Sequence, residues 1–434
     1  MSLTRRGFVA GALGAVAAGG VASCSSDGSS GGSLTALMED ISYTDNIKRL
    51  LPDFTEQTGI SVSIETVPYS DMSAKVLQEF SQRSDYFDLV FIGNVYGAGY
   101  FQSNYVEDLR EFAAKDATFG TLDAFYEPYL RTMTAPEGEV YGVPVYGEST
   151  FLMYRTDLFD EYGLDVPATM AELRSAARTI HQGTKGKVSG ITLRGAPGIQ
   201  SVYPWAGFLR SFGGRFFDGS GGLVIDSEQS VRAADFWAEL LRDYGPAGAA
   251  NFGWEQNRIN FTQGLSAMTI DATANGPFNE NEDSSTVAGK VGYTAIPYAD
   301  GVEPGDNTNN SLTVHALYMN AFGQNKDNTW KFMSWATSKD VQSAAVESTE
   351  AVGVTNAEVL QGDAYAKKYG AFQDAVMAQL KTGNVDYLPG GQHANTIITE
   401  TGQSLSSALS GQQDAGTAMT AAQQRIVDKG AGSR

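Results

Sequence analysis

Residues 34–92 read LTALMEDISYTDNIKRLLPDFTEQTGISVSIETVPYSDMSAKVLQEFSQRSDYFDLVFI. Leu34–Glu39 is a short apolar run, the pattern of a buried strand. Asp45–Thr58 then repeats Ile47, Leu50, Leu51 and Phe54 on one face of a helix, and Gly59 ends it. Ile60–Val67 alternates apolar and polar side chains as a second strand does. Ser70 can cap a helix running through Phe80, and Asp88–Ile92 is a third strand. Strand, helix, strand, helix, strand with short links predicts a mostly parallel sheet covered by helices, an α/β fold.

A second α/β region begins near residue 146. Ser149–Tyr154 is strand-like, and Thr169-Met170-Ala171-Glu172 is a capping box opening a helix through Ile180. Asp226-Ser227 starts a helix through Tyr244 that Gly245-Pro246 closes. Ala267–Ile270 and Val291–Ile296 read as further strands, and from Asn328 onward the pattern is mainly helical. At 434 residues the chain is long enough for two or three domains. Residues 428–434 are polar and expected to fray.

The chain's beginning reads as an address. Arg5-Arg6 precedes the uncharged run Phe8–Ala22, too short and glycine-rich for a comfortable membrane span. Thr4–Val9 resembles a twin-arginine export signal, and Val21-Ala22-Ser23-Cys24 resembles a bacterial lipobox. Residues 1–23 are therefore expected to be removed. Acyl chains on Cys24 would then hold the protein to the outer face of the cytoplasmic membrane, through a flexible Ser- and Gly-rich tether over 24–33.

Composition excludes several function classes. Fifty acidic residues against 30 Lys plus Arg leave a net charge of −20, which repels nucleic acid phosphates and anionic lipid heads. Membrane contact is then expected only through the lipid. The single cysteine rules out an internal disulfide framework. No zinc, calcium or P-loop motif is present, and none of the three histidines lies in a recognisable catalytic motif. Neither metal nor cofactor is called for.

What stands out is a set of aromatics beside hydrogen-bonding side chains at strand ends. Tyr43 follows the first strand, Asn94 and Tyr96 follow the third, and Glu148 precedes Ser149–Tyr154. Trp205 and Trp254 lie in Tyr203-Pro204-Trp205 and Phe252-Gly253-Trp254, and Asp271 ends Met268-Thr269-Ile270. Ligands of open α/β sheets bind outside the carboxyl ends of strands. A sugar ring packs its C–H face on Trp or Tyr, while its hydroxyls need both donors and acceptors, so the set suits a carbohydrate or polyol. Fifty acids also leave a glycoside hydrolase open, with Glu148 and Asp271 as the best acid pair.

The chain also resembles the family 1 extracellular solute-binding proteins, the maltodextrin-binding type, from bacterial ABC sugar importers. The resemblance rests on LLPDFTEQTGISV (50–62), YFDLVFI (86–92), VYGVPVYGES (140–149), LMYRTDLF (152–159), FGGRFF (212–217), QGLSAMTID (263–271) and NTWKFMSWATS (328–338), in that order. It implies a two-lobed periplasmic-binding-protein fold of type II with crossing hinge segments. One lobe would take 34–145 plus 271–340, the other 146–270 plus 341–427. It further implies a monomer that binds a neutral sugar, oligosaccharide or polyol between the lobes, without turnover, and hands it to the membrane permease subunits. Tyr43, Asn94, Tyr96, Glu148, Trp205, Trp254 and Asp271 would face the cleft. Asn94 stands where many relatives carry Asp, and His315 where relatives often carry Trp. A lipid-anchored ligand sensor remains the other non-enzymatic reading.

Overall fold

The computed structural model describes residues 32–303, 305–348 and 353–434. The export signal, Cys24 and nearly all of the tether lie outside them. Two sheets organise the chain. The first has five strands in the order β2-β1-β3-β8-β4, with β1 Ser33–Glu39, β2 Ser61–Val67, β3 Leu89–Gly93, β4 Val143–Glu148 and β8 Thr313–Met319. The second has three, β6-β5-β7, with β5 Thr150–Arg155, β6 Met268–Ala272 and β7 Val291–Thr294.

The quoted stretch folds as its periodicity predicts. β1 pairs in parallel with both β2 and β3, and the helices Ser42–Thr58 and Tyr69–Ser81 make the crossovers that parallel strands require. Gly59 closes the first helix at φ 71°, a conformation costly for a residue with a Cβ, and its N–H reaches the Thr55 carbonyl. Phe54 packs against Phe332 and Trp335 of the helix Lys326–Ala336 beneath the sheet. The Thr169 capping box also forms: its hydroxyl accepts from Glu172 N at 3.2 Å, and Glu172 accepts from Thr169 N at 3.1 Å.

Parallel pairing stops at β3. β8 lies antiparallel between β3 and β4, and the second sheet is antiparallel throughout. β4 leaves the first lobe at its cleft edge and β8 re-enters there, so β8 alone runs opposite to β1, β3 and β4.

Three segments cross between the lobes and are laced together. Ser149 Oγ donates to Ser311 O at 2.6 Å, and Ser311 N donates to Thr150 Oγ1 at 3.0 Å. Asn310 Nδ2 donates to Gln379 O at 2.6 Å, and Asn384 N donates to Asn310 O at 3.0 Å. The crossings thus fall near 149, 310 and 380. The lobe boundaries differ accordingly from those expected. Residues 271–310 were placed with the first lobe, yet β7 at Val291–Thr294 pairs with β5 of the second sheet. Residues 341–348 were placed with the second, yet the helix Lys339–Ser348 packs on Ser42–Thr58 of the first. Periodicity identifies a strand but not the sheet edge it joins, which explains the difference.

The carboxyl end of the chain is docked rather than frayed. Leu223 N donates to Gly432 O and Arg434 N to Gly221 O, each at 2.9 Å. Ala431 is fully buried, and the Arg434 guanidinium pairs with Asp386.

Candidate functional site: the seam between the lobes

The cleft edge of the first sheet is where unlike charges gather. β1 runs toward it and ends in Glu39, β3 ends in Gly93, β4 ends in Glu148, and antiparallel β8 begins there, bringing in His315. Glu39 is fully buried, and Oε2 hydrogen-bonds His315 Nδ1. Burial opposes a charge on His315, but the charge and hydrogen bond of Glu39, helped by Glu148, outweigh it and hold the imidazole pKa above its usual value. The rings of Tyr69, Phe91 and Tyr146 enclose the imidazole, with centroids 6.0, 6.2 and 6.0 Å away.

The second lobe supplies the opposite wall. Arg194 is buried and grips Asp271 with two guanidinium nitrogens, Nε at 3.0 Å from Oδ2 and Nη2 on Oδ1. Asn257 Nδ2 donates to the same Oδ2 at 2.7 Å, and Asn257 Oδ1 accepts from Thr192 Oγ1 at 2.8 Å. Arg194 also lies over the Tyr203 ring, 4.9 Å from its centroid. Tyr203 Oη donates to Glu148 Oε1 at 3.0 Å and lies 3.2 Å from Ser311 Oγ of the crossing. Burial pushes the Glu148 carboxyl above its usual range against the pull of His315, Arg194 and the Tyr203 hydroxyl, with Asp271 adding to the rise. Tyr69 is half-buried, and its hydroxyl is raised by burial and by Tyr96, Glu39 and Glu148, with Arg194 pulling the other way. Carboxylates, imidazole, guanidinium and phenols of both lobes therefore share one seam.

The residues expected at the cleft divide. Glu148 and His315 lie in the seam. Tyr96 lies beside it, its hydroxyl pushed up to about 12 by burial. Asn94 accepts from Val314 N at 3.2 Å, which fixes the start of β8 and leaves its amide nitrogen over. Asp271 is in the seam but holds Arg194 and Asn257 rather than facing open space. With both oxygens so occupied it cannot serve as one of a hydrolytic pair. Trp254 is half-buried, and its Nε1 donates to Asn275 Oδ1 at 2.7 Å.

Two expectations fail. Trp205 is fully buried inside the second lobe with Phe216 at 6.0 Å, and Tyr43 is fully buried in the first, its hydroxyl on Ala336 O at 3.4 Å. Trp205 stands two positions from Tyr203 on the helix Ile199–Ser211, and residues that far apart face different sides. The Tyr-Pro-Trp stretch, expected at a strand end, lies inside this helix, which turns Tyr203 rather than Trp205 toward Glu148. Glu39, Tyr69, Arg194, Tyr203 and Ser311 were missed. Glu39 had a visible signal, a charge closing an apolar strand; Arg194 did not, since only folding brings it to Asp271.

The family model described as bacterial extracellular solute-binding protein matches residues 40–343. The chain belongs to this family. It is a binding protein rather than an enzyme, and its two sheets are the two lobes of that fold. The mannitol-binding protein of Pseudomonas aeruginosa is 27% identical over 369 residues, 81% of this chain and 82% of the relative. The erythritol/L-threitol-binding protein of Mycolicibacterium smegmatis is 26% identical over 73% of this chain and 69% of its own length. A solute-binding protein of Agrobacterium radiobacter K84, solved in complex with ribitol, superposes with a TM-score of 0.84 at 26% identity, covering 91% of this chain and 98% of the other. No helix of the described residues is long and apolar enough to cross a membrane.

Proposed function

We propose that this protein captures a small, neutral, acyclic polyol between its lobes and delivers it to an ABC permease. The observation that carries the reading is the seam itself. Buried acceptors on Glu39 and Glu148 and a buried donor on Arg194 converge from both lobes, each held by a neighbour. Desolvated hydroxyls need such partners, at a cost of about 1–3 kcal/mol for each one left unmet. An acyclic chain is favoured over a sugar ring because Trp205 and Tyr43, the flat rings expected to stack on a pyranose, are spent in the two cores. Relatives whose ligands are mannitol, erythritol or threitol, and ribitol support the same choice.

Binding is a clamp without chemistry. A ligand touching Arg194 on one lobe and Glu39 or Glu148 on the other favours the closed arrangement, and the laced crossings act as its hinge. A lipid on Cys24 and export by the twin-arginine route keep the monomer at the outer face of the cytoplasmic membrane, within reach of the permease subunits. Calorimetric titration with four- to six-carbon alditols, aldohexoses and maltodextrins tests the reading. Saturable 1:1 heat with one or more alditols, exceeding that of the cyclic sugars, is expected. Heat with maltodextrins alone would replace it with the oligosaccharide reading.

A further inference from the structure

Two observations at the carboxyl ends of β1 and β3 point to the same spot. The first is Glu39. Its Oε2 is engaged by His315, but its Oε1 is buried and finds no hydrogen-bond partner among the described residues. A buried carboxylate oxygen without a donor is costly, so it needs a partner that arrives from outside the chain. The second is Gly93, which stands directly opposite His315 in the antiparallel register. Gly93 is buried, yet a Cβ there would meet no heavy atom of the described residues within 4 Å, its chain neighbours aside. Elsewhere in this protein a buried glycine usually marks a tight approach; at Gly97 and Gly147 a Cβ would come within 2.4 and 2.3 Å of a tyrosine side chain. The backbone at Gly93, with φ −59° and ψ 145°, suits any residue, so conformation does not call for glycine here. What the missing side chain provides is room beside the imidazole that holds Glu39.

We propose that the space over Gly93 is the seat of one end of the ligand and that Glu39 Oε1 accepts a hydroxyl proton from it. His315 is the positioning residue, fixing the carboxylate through Oε2. This rests on the polyol reading and narrows it. The end seated at Gly93 is a neutral carbinol, because a carboxylate or phosphate there would face the Glu39 charge with Glu148 close by.

The test uses the mature protein and its best alditol, with the corresponding aldonic acid as the charged probe. The wild type binds the alditol and binds the acid at least tenfold more weakly. Gly93→Val fills the space; it melts as the wild type does and loses roughly ten- to a hundredfold in affinity, the worth of a hydrogen bond to a charged group. Glu39→Gln loses a similar factor. His315 is faced by Glu39, Glu148 and Arg194 and by the hydroxyls of Tyr69 and Tyr146, so its proton is read by a pH profile. Alditol affinity falls as pH rises through the raised imidazole pKa, and His315→Gln flattens that fall. If the wild type binds an alditol but Gly93→Val and Glu39→Gln bind it equally well, the subsite is wrong and the polyol reading stands. If the acid binds as tightly as the alditol, the neutral-end assignment is wrong. A wild type that binds no alditol removes both.

Discussion

Tyr203 and Trp205 show how little residue type decides without direction. Both are large, aromatic and buried, yet one hydroxyl reaches Glu148 across the seam while the other ring fills the second lobe. Trp205→Ala is therefore expected to destabilise by about 3–5 kcal/mol, the range for emptying a buried aromatic site, read as a fall in the denaturant midpoint. Trp254→Ala, at a half-buried ring whose Nε1 holds the buried Asn275, is expected to cost about 1–3 kcal/mol, a smaller fall in the midpoint than Trp205→Ala gives. Asp271 poses the complementary case. Removing its carboxylate by Asp271→Ala strands the buried Arg194 charge, and breaking such a pair costs about 3–5 kcal/mol. Affinity and the unfolding midpoint should then fall together, whereas a purely ligand-facing carboxylate would lower affinity alone. Glu148 was legible from its place beside a strand and His315 only through the family resemblance; the Arg194–Asp271 partnership was not, since it joins residues distant in the chain.

At the scale of elements, local signals were the reliable ones. The Thr169 capping box, the αL closure at Gly59 and the Ser227 cap on Glu228–Tyr244 all follow from short-range hydrogen bonding, and all form. The direction of β8 and the edge taken by β7 do not, because pairing is chosen by whatever surface the chain meets after crossing. The carboxyl tail makes the same point. Its polar, glycine-containing composition reads as loose, yet Gly432 and Arg434 bond the backbone of residues 221–223 and Ala431 is buried. Deleting residues 431–434 should lower stability by about 1–3 kcal/mol, the net worth of two backbone hydrogen bonds, measured by denaturant unfolding. An unchanged midpoint would mean the tail docks without contributing.

For the whole molecule, closure depends on close approach between the lobes away from the ligand seam. A Cβ at Gly99, on the first lobe's helix Asn94–Gln102, would come 2.5 Å from the carbonyl oxygen of Gly391, in the segment leading into the second lobe's helix Ala394–Leu409. Ser73 Oγ and Asn395 Oδ1 lie 3.5 Å apart along the same approach. Gly99→Leu is thus expected to prop the lobes apart while leaving both cores intact. Small-angle scattering with saturating ligand should give a larger radius of gyration than the wild type shows, and affinity should drop because the clamp cannot complete. Equal radii and equal affinity would place the closing contact elsewhere.

The sequence by itself determined that the chain is α/β, that its opening elements alternate strand and helix, and that Glu148 and Asp271 lie at strand ends. Those features depend on periodicity and on chemistry within a few residues. Only the tertiary structure decided that the lobes divide near 149, 310 and 380, that Trp205 and Tyr43 belong to the cores, and that Glu39, Tyr69, Arg194 and Tyr203 share the seam with Glu148 and His315. The reason is physical. A side chain's role in a cleft is fixed by which way it points and by what a distant segment brings against it, and neither quantity is encoded in any short stretch of chain.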